Sequence, residues 1–152
     1  MNPNDVAIRK AYIDLCLSLD GNTALTLGEG LGASDITLTN NATEFFNRIQ
    51  RDARGRNWAK RPPEQWPCVV GFIEPAAEKH LHVYAAIPPD IQQQIEESGS
   101  GTWKKIRRGG HFYCKPIENG PRYARYITKR LYTVRTAEEI FVYSPHNQTL
   151  TL

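Results

Sequence analysis

Residues 67–88 read PCVVGFIEPAAEKHLHVYAAIP, two apolar runs separated by a short polar interval. Valine, isoleucine, phenylalanine and tyrosine fill both runs, and prolines bound them, so each reads as a strand and the pair as a hairpin. Alternate side chains of a strand share a face. With residues 75–79 as the turn, Glu74 lies opposite His80 and Phe72 opposite His82. Glu74, His80 and His82 then share one face, while Ile73, Leu81 and Val83 enter the core. A slip of one residue would remove Glu74 from that set and leave Glu78 as the substitute.

The segments around the hairpin supply the rest of an α+β fold, a central and mainly antiparallel sheet flanked by helices. Residues 4–18 have helical periodicity, with Val6, Ile8, Ala11, Tyr12, Leu15 and Cys16 near one face. TALTLGE (23–29) alternates as a strand does, and DITLT (35–39) reads as a second short one. Asn41, with Glu44 three residues on, resembles a capping box that opens a helix over ATEFFNRIQRDAR. Residues 58–67 are a proline-punctuated loop in which at least one of Trp58 and Trp66 packs in the core. PPDIQQQIEES (88–98) predicts a helix with proline in its first turn, SGSGTW a turn, HFYCKPI (111–117) a strand and residues 120–131 a helix. The final stretch reads as a strand and docking tail.

At 152 residues, 40% hydrophobic and 23% charged, the chain suits one soluble domain. No apolar run approaches the roughly 20 residues of a membrane span, and the N-terminus has no secretory h-region. Three scattered cysteines, Cys16, Cys68 and Cys114, suggest neither a disulfide framework nor a zinc knuckle. The expectation is a cytoplasmic protein with no membrane partner. Charge is uneven: residues 101–135 hold ten basic side chains against the single Glu118, a net of +9 in a chain of net +3. Such a segment suits a polyanion, most commonly nucleic acid, or else forms a solvated basic face. Within it, Trp103, Lys104, Lys105, Arg107 and Arg108 interleave an aromatic with cations, as single-strand binders do. Arg48, Arg51, Arg54 and Arg56 could extend a groove, or could complement a helix dipole.

Two imidazoles and a carboxylate form a mixed nitrogen–oxygen donor set suited to Mg²⁺ or Mn²⁺ acting as a Lewis acid on a substrate oxygen. An isolated HxH is more commonly accidental, but a carboxylate on the same face weighs against accident. In the basic segment, Tyr126 and Lys129 are three apart and share a helix face. A phenol is a weak nucleophile near neutral pH unless the phosphate is activated or a cation steadies the developing charge, and Lys129 is placed to supply that cation. A phosphotyrosine would retain the energy of the broken phosphodiester and permit rejoining without ATP. His111 and His146 read as satisfied polar residues.

Glu74, HLH at 80–82 and YITK at 126–129 together resemble the HUH endonucleases, and among them the rolling-circle replication initiators (Rep proteins). LTLGE at 25–29 is a partial match to that family's first motif. The resemblance covers residues 23–134, leaving 1–22 as a helix packed on the nuclease domain and 135–152 as a C-terminal strand or tail. It implies an RRM-like antiparallel core and a divalent metal, Mg²⁺ or Mn²⁺, at Glu74, His80 and His82. It further implies site-specific nicking and joining of single-stranded DNA through a 5′-phosphotyrosine on Tyr126, assisted by Lys129. The DNA, a single strand or hairpin, would be held by Trp103, Lys104, Lys105, Arg107, Arg108, Arg122, Tyr123 and Arg125. No nucleotide-binding loop follows, so a helicase and a polymerase would come from the host. Tyr123 stands one residue short of the spacing of a two-tyrosine enzyme, and reads as a helix-face or stacking residue. The alternatives are an HUH-like domain that binds DNA without cutting it, a relaxase- or transposase-type relative, and an unrelated hydrolase using metal-bound water.

Overall fold

A computed structural model of the chain describes residues 3–31, 34–74, 76, 78–129 and 140–145. In chain order the elements are α1 (Pro3–Ser18), β1 (Thr23–Leu31), α2 (Asp35–Arg54), β2 (Cys68–Glu74), β3 (Glu78–Ala86), α3 (Pro89–Ile106), β4 (His111–Pro116), α4 (Gly120–Ile127) and β5 (Ile140–Tyr143). Two single 3₁₀ turns, Trp58–Lys60 and Pro63–Gln65, punctuate the loop before β2. The five strands form one sheet in the order β4-β1-β3-β2-β5, and every neighbouring pair is antiparallel. The fold is α+β. Among the described residues, no helix is long and apolar enough to cross a membrane.

The hairpin has the expected register: Glu74 pairs with His80 and Phe72 with His82. Period-two alternation then sorts the whole sheet into two faces. One face carries Leu25, Leu27, Val69, Ile73, Leu81, Val83 and Phe141, packed beneath α2 and α3. The other carries Val70, Phe72 and Tyr84, covered by α1 and α4 around Cys16, Ala124 and Ile127. Beyond that cover, this second face turns polar.

Four local expectations are corrected. DITLT is the first turn of α2, not a strand, because Ser34 caps it: its hydroxyl accepts from the Thr37 amide at 3.1 Å. From Leu38 through Ala42, Phe45, Phe46 and Ile49, the buried positions follow a helical period. Asn41 is therefore no cap; its amide donates to Glu29 Oε1 at 2.6 Å and ties α2 to β1. SGSGTW does not turn either. α3 runs through it, and Gly99 is needed for contact: a Cβ there would sit 2.8 Å from the Phe112 ring. In α1 the buried stripe passes through Tyr12, Ile13 and Cys16, leaving Val6, Ile8 and Leu15 at 50%, 47% and 39% exposure.

Trp66 is buried as expected of one tryptophan in the loop, with Trp58 tilted against it at 5.4 Å. The closing segment adds β5 beside β2. α4 ends at Ile127, with Thr128 as its C-cap, short of the 131 read from sequence; residues 130–139 and His146 lie outside the described residues. Cys16, Cys68 and Cys114 are free thiols, and burial pushes the Cys16 thiol up to about 12, which makes it an inert core residue.

Candidate functional site

On the polar part of the second face, the strand registers align residues from several strands into rows. His111, Gly28, His80 and Glu74 form one row across β4, β1, β3 and β2. Tyr113, Thr26, His82 and Phe72 form the next. Gly28 gives the first row its shape: a Cβ there would lie 3.1 Å from His80 Cδ2, 3.3 Å from His80 Nε2 and 3.2 Å from His111 Cβ. The missing side chain makes room for the His80 ring. A β-bulge between Gly28 and Gly30 ends the regular pairing there.

The opposite layer fixes that bulge. Trp103 Nε1 donates to the Gly28 carbonyl at 2.9 Å. Arg107 Nε donates to the Glu29 carbonyl at 2.6 Å and lies 3.0 Å from Glu29 Oε2. Glu29 is fully buried. This is the structural content of LTLGE: the glycine frees space on the histidine face, and the glutamate anchors α2 and α3 behind it.

His82 sits at the centre of the second row. Its Nε2 is 2.7 Å from Glu74 Oε2, and its Nδ1 is 3.4 Å from Thr26 Oγ1. The edge of the His82 ring meets the Tyr126 ring with centroids 5.9 Å apart. Lys129 Nζ lies over the ring of that phenol, 4.3 Å from its centroid. α4 makes this possible. Asn119 caps it by accepting from the Arg122 amide, Ala124 and Ile127 bury its inner face, and Tyr126 is left half exposed beside the sheet. Lys129 follows the helix C-cap at Thr128 and folds back onto the tyrosine.

Tyr126 borders a cleft of about 810 Å³ between α4 and the β4 edge, lined also by Thr26, His82, Tyr113, Lys115 and Arg122. Tyr123 belongs to its floor. Its hydroxyl donates to the Val83 carbonyl at 2.9 Å, its ring stacks on Tyr84, and burial raises its phenol well above the ordinary range. That is a helix-face residue, unfit as a second nucleophile.

The donor set fits a divalent ion in kind, since two imidazoles and a carboxylate share a face and Gly28 clears the approach to His80. It is not gathered for one: among the described residues no three histidine, cysteine, aspartate or glutamate side chains stand close enough together to hold an ion. Glu74 and His82 instead satisfy each other, and binding an ion would replace that hydrogen bond.

The basic segment divides between layers. Trp103 is completely buried, edge-on to Phe45, so it cannot stack on a base. Lys104, Lys105 and Arg108 are exposed on the α2–α3 layer, and Arg107 is engaged by Glu29. Arg48 pairs with Glu44, and Arg54 with Asp90, also on that layer. Lys115 and Arg122 line the cleft and Lys129 lies over the Tyr126 ring, whereas Arg125 is exposed on α4 with its carbonyl accepting from Arg9 of α1. Tyr113 and Lys115 join the site without having been singled out for it from sequence, and Thr26 and Gly28 only as parts of LTLGE, since the pairing of β1 and β4 with the hairpin brings them there. Alternation along HFYCKPI was the available signal.

The chain matches no family model, no curated protein and no solved structure.

Proposed function

We propose that this protein nicks and rejoins single-stranded DNA through Tyr126, as an HUH-type enzyme of the replication-initiator kind. The observation that carries the reading is the contact of Tyr126 with both partners that such chemistry needs. Its ring abuts His82 at 5.9 Å, and Lys129 Nζ lies 4.3 Å from its centroid. Sheet and helix converge there, although His82 and Tyr126 are 44 positions apart in sequence. The antiparallel five-stranded sheet, with the two histidines on its central strand, supports an HUH-like fold.

In this reading Tyr126 Oη attacks the phosphorus of a phosphodiester. The phenol gives up its proton, the bond from phosphorus to the 3′-oxygen breaks, that oxygen leaves as a 3′-hydroxyl by taking up one proton, and the 5′-phosphate remains on the tyrosine. Attack by a 3′-hydroxyl reverses the step with no net loss of phosphoester bonds. Lys129 steadies the phenolate as it forms and holds the ring against the sheet. His80, His82 and Glu74 would hold Mg²⁺ or Mn²⁺, which supplies Lewis-acid polarisation of a phosphate oxygen when bound. Thr26 orients the His82 ring through Nδ1, and Nε2 would exchange its hydrogen bond with Glu74 for the ion. The cations of the cleft attract the strand.

The test is covalent capture. The protein and its Tyr126→Phe variant are mixed with Mn²⁺ and a diverse pool of labelled single-stranded DNA, then denatured. A denaturation-resistant adduct is expected with the wild type only. An adduct that persists in Tyr126→Phe, or none from a wild type that binds Mn²⁺ and the pool, overturns the reading. One observation favours a second reading, a domain that binds DNA without cutting it: the 2.7 Å Glu74–His82 hydrogen bond occupies two of the three donors. DNA binding without an adduct would select it.

A further inference from the structure

The two walls of the cleft are built alike. On β4, Tyr113 and Lys115 are two apart and point into it; on α4, Arg122 and Tyr126 are four apart and face them. Each wall thus presents one aromatic and one cation. Tyr113 is 67% exposed and Tyr126 50%, and among the described residues these are the only aromatic side chains so open to solvent. Among the described residues, every other tyrosine and tryptophan is at least partly covered.

An exposed tyrosine on a sheet edge needs a reason. Tyr113 is not supporting the core: its β4 neighbour Phe112 does that, on the opposite face, against Phe45. Its register partner is Thr26, whose own partner on the far side is His82. Tyr113 therefore stands two strands, roughly 10 Å, from the histidine that meets Tyr126. A flat aromatic face flanked by cations is the surface that takes an unpaired nucleobase with its phosphates, and it is sequence-tolerant because every base has a π-face. Glu118, three residues beyond Lys115 in sequence, is the one carboxylate in the lining and disfavours phosphate beside it.

We infer that Tyr113 is a base-stacking platform: one unpaired base of a DNA single strand lies on its ring, while Lys115 and Arg122 hold the adjoining phosphates. The inference rests on the nicking reading for its consequence, because a base fixed on Tyr113 sets the register of the strand against Tyr126. Tyr113 is thus a positioning residue, and it takes over the role that the sequence suggested for Trp103.

The test separates the platform from the chemistry by measuring binding with EDTA present. The probe is a fluorescein-labelled 15-nucleotide oligo(dT), titrated with the full chain across a salt series. Tyr113→Ala is expected to weaken binding about tenfold, with the salt slope unchanged. Tyr113→Phe, which keeps the ring, should stay within about twofold of wild type. Lys115→Ala and Arg122→Ala should each make the slope shallower by about 0.7. Wild-type affinity in Tyr113→Ala overturns the platform, as does an equal loss in Tyr113→Phe, equal competition by a 15-base-pair duplex, or failure of the wild type to bind the oligonucleotide. Unchanged melting of Tyr113→Ala is the control for folding. Covalent capture is read separately. Ring-dependent binding without an adduct leaves the platform standing and removes the nicking reading, whereas an adduct with ring-independent binding does the reverse.

Discussion

Beneath α2 and α3, the sheet presents Leu25, Leu27, Val69, Ile73, Leu81 and Val83, none more than 6% exposed, against three helix-borne phenyl and indole rings. Beneath α1 and α4, the same strands begin with Val70 and Phe72 but end in Glu74, His80, His82, Thr26 and a glycine. The first face is filled to close packing. The second is filled over half its length and then left polar and open as a cleft. Stability and function are thus assigned to opposite sides of one sheet, and substitutions should divide accordingly.

The largest effect should come from the packed side. Trp103→Ala removes a fully buried indole and leaves the Gly28 carbonyl without its donor. A loss of about 3–5 kcal/mol is expected in a denaturant melt. Where the variant is still folded, its affinity for single-stranded DNA should remain within about twofold of wild type. Affinity lost without stability would mean that the indole reaches DNA after all.

His82→Ala is expected to behave in the opposite way. Mn²⁺ affinity and nicking should fall together by about a hundredfold. Stability should change by less than about 1 kcal/mol, because Glu74, a quarter exposed, can turn to solvent. Mn²⁺ titration calorimetry beside a thermal melt checks both. A melt lowered as far as that of Trp103→Ala would place the histidine among the packing residues.

Gly28→Ala probes the seam between the faces. Its methyl group would press on His80 Cδ2 at 3.1 Å and on His111 Cβ at 3.2 Å, so the ring must move by a few tenths of an ångström. A cost of about 1 kcal/mol is expected, with Mn²⁺ affinity reduced several-fold. Unchanged affinity would show that the His80 ring need not occupy that space.

The difference between the faces also explains what the sequence could tell. The register of the hairpin was legible because two proline-bounded, β-rich runs admit one pairing that buries Ile73, Leu81 and Val83, although β3 begins at Glu78, inside the interval read as turn. The nearness of Tyr126 and Lys129 was legible, though not its cause, since α4 ends at Ile127 and Lys129 folds back from beyond the C-cap. α2 and α3 were misread at DITLT and SGSGTW, where alternation and glycine are also compatible with helix. Ser34 capping and the approach of Phe112 to Gly99 decide those segments, and the second of these contacts is tertiary. Trp103 was misread for a related reason: aromatic–cation interleaving looks the same on a helix that buries its indole and exposes its lysines. Tyr113 and Gly28 could be found only once β1 and β4 were aligned on the hairpin.

The smallest effect expected concerns a charge pair on the packed side. Arg54, buried to 2% exposure, donates through Nε and Nη2 to both carboxylate oxygens of Asp90, at 2.8 and 3.1 Å, joining the end of α2 to the first turn of α3. The guanidinium holds the Asp90 carboxyl below the ordinary carboxylate range. A depressed folded-state value means that the stabilisation is present above the unfolded value of about 3.9 and is lost as pH falls through the folded one. Asp90 is 45% exposed, so solvent screening limits the pair to about 1 kcal/mol. Asp90→Asn should therefore melt slightly below wild type at neutral pH, and the gap should close in acid. Its nicking should be unaltered, because the pair braces the packed layer alone. A gap that persists well below the carboxylate range would assign the loss to helix capping at α3 instead of to charge.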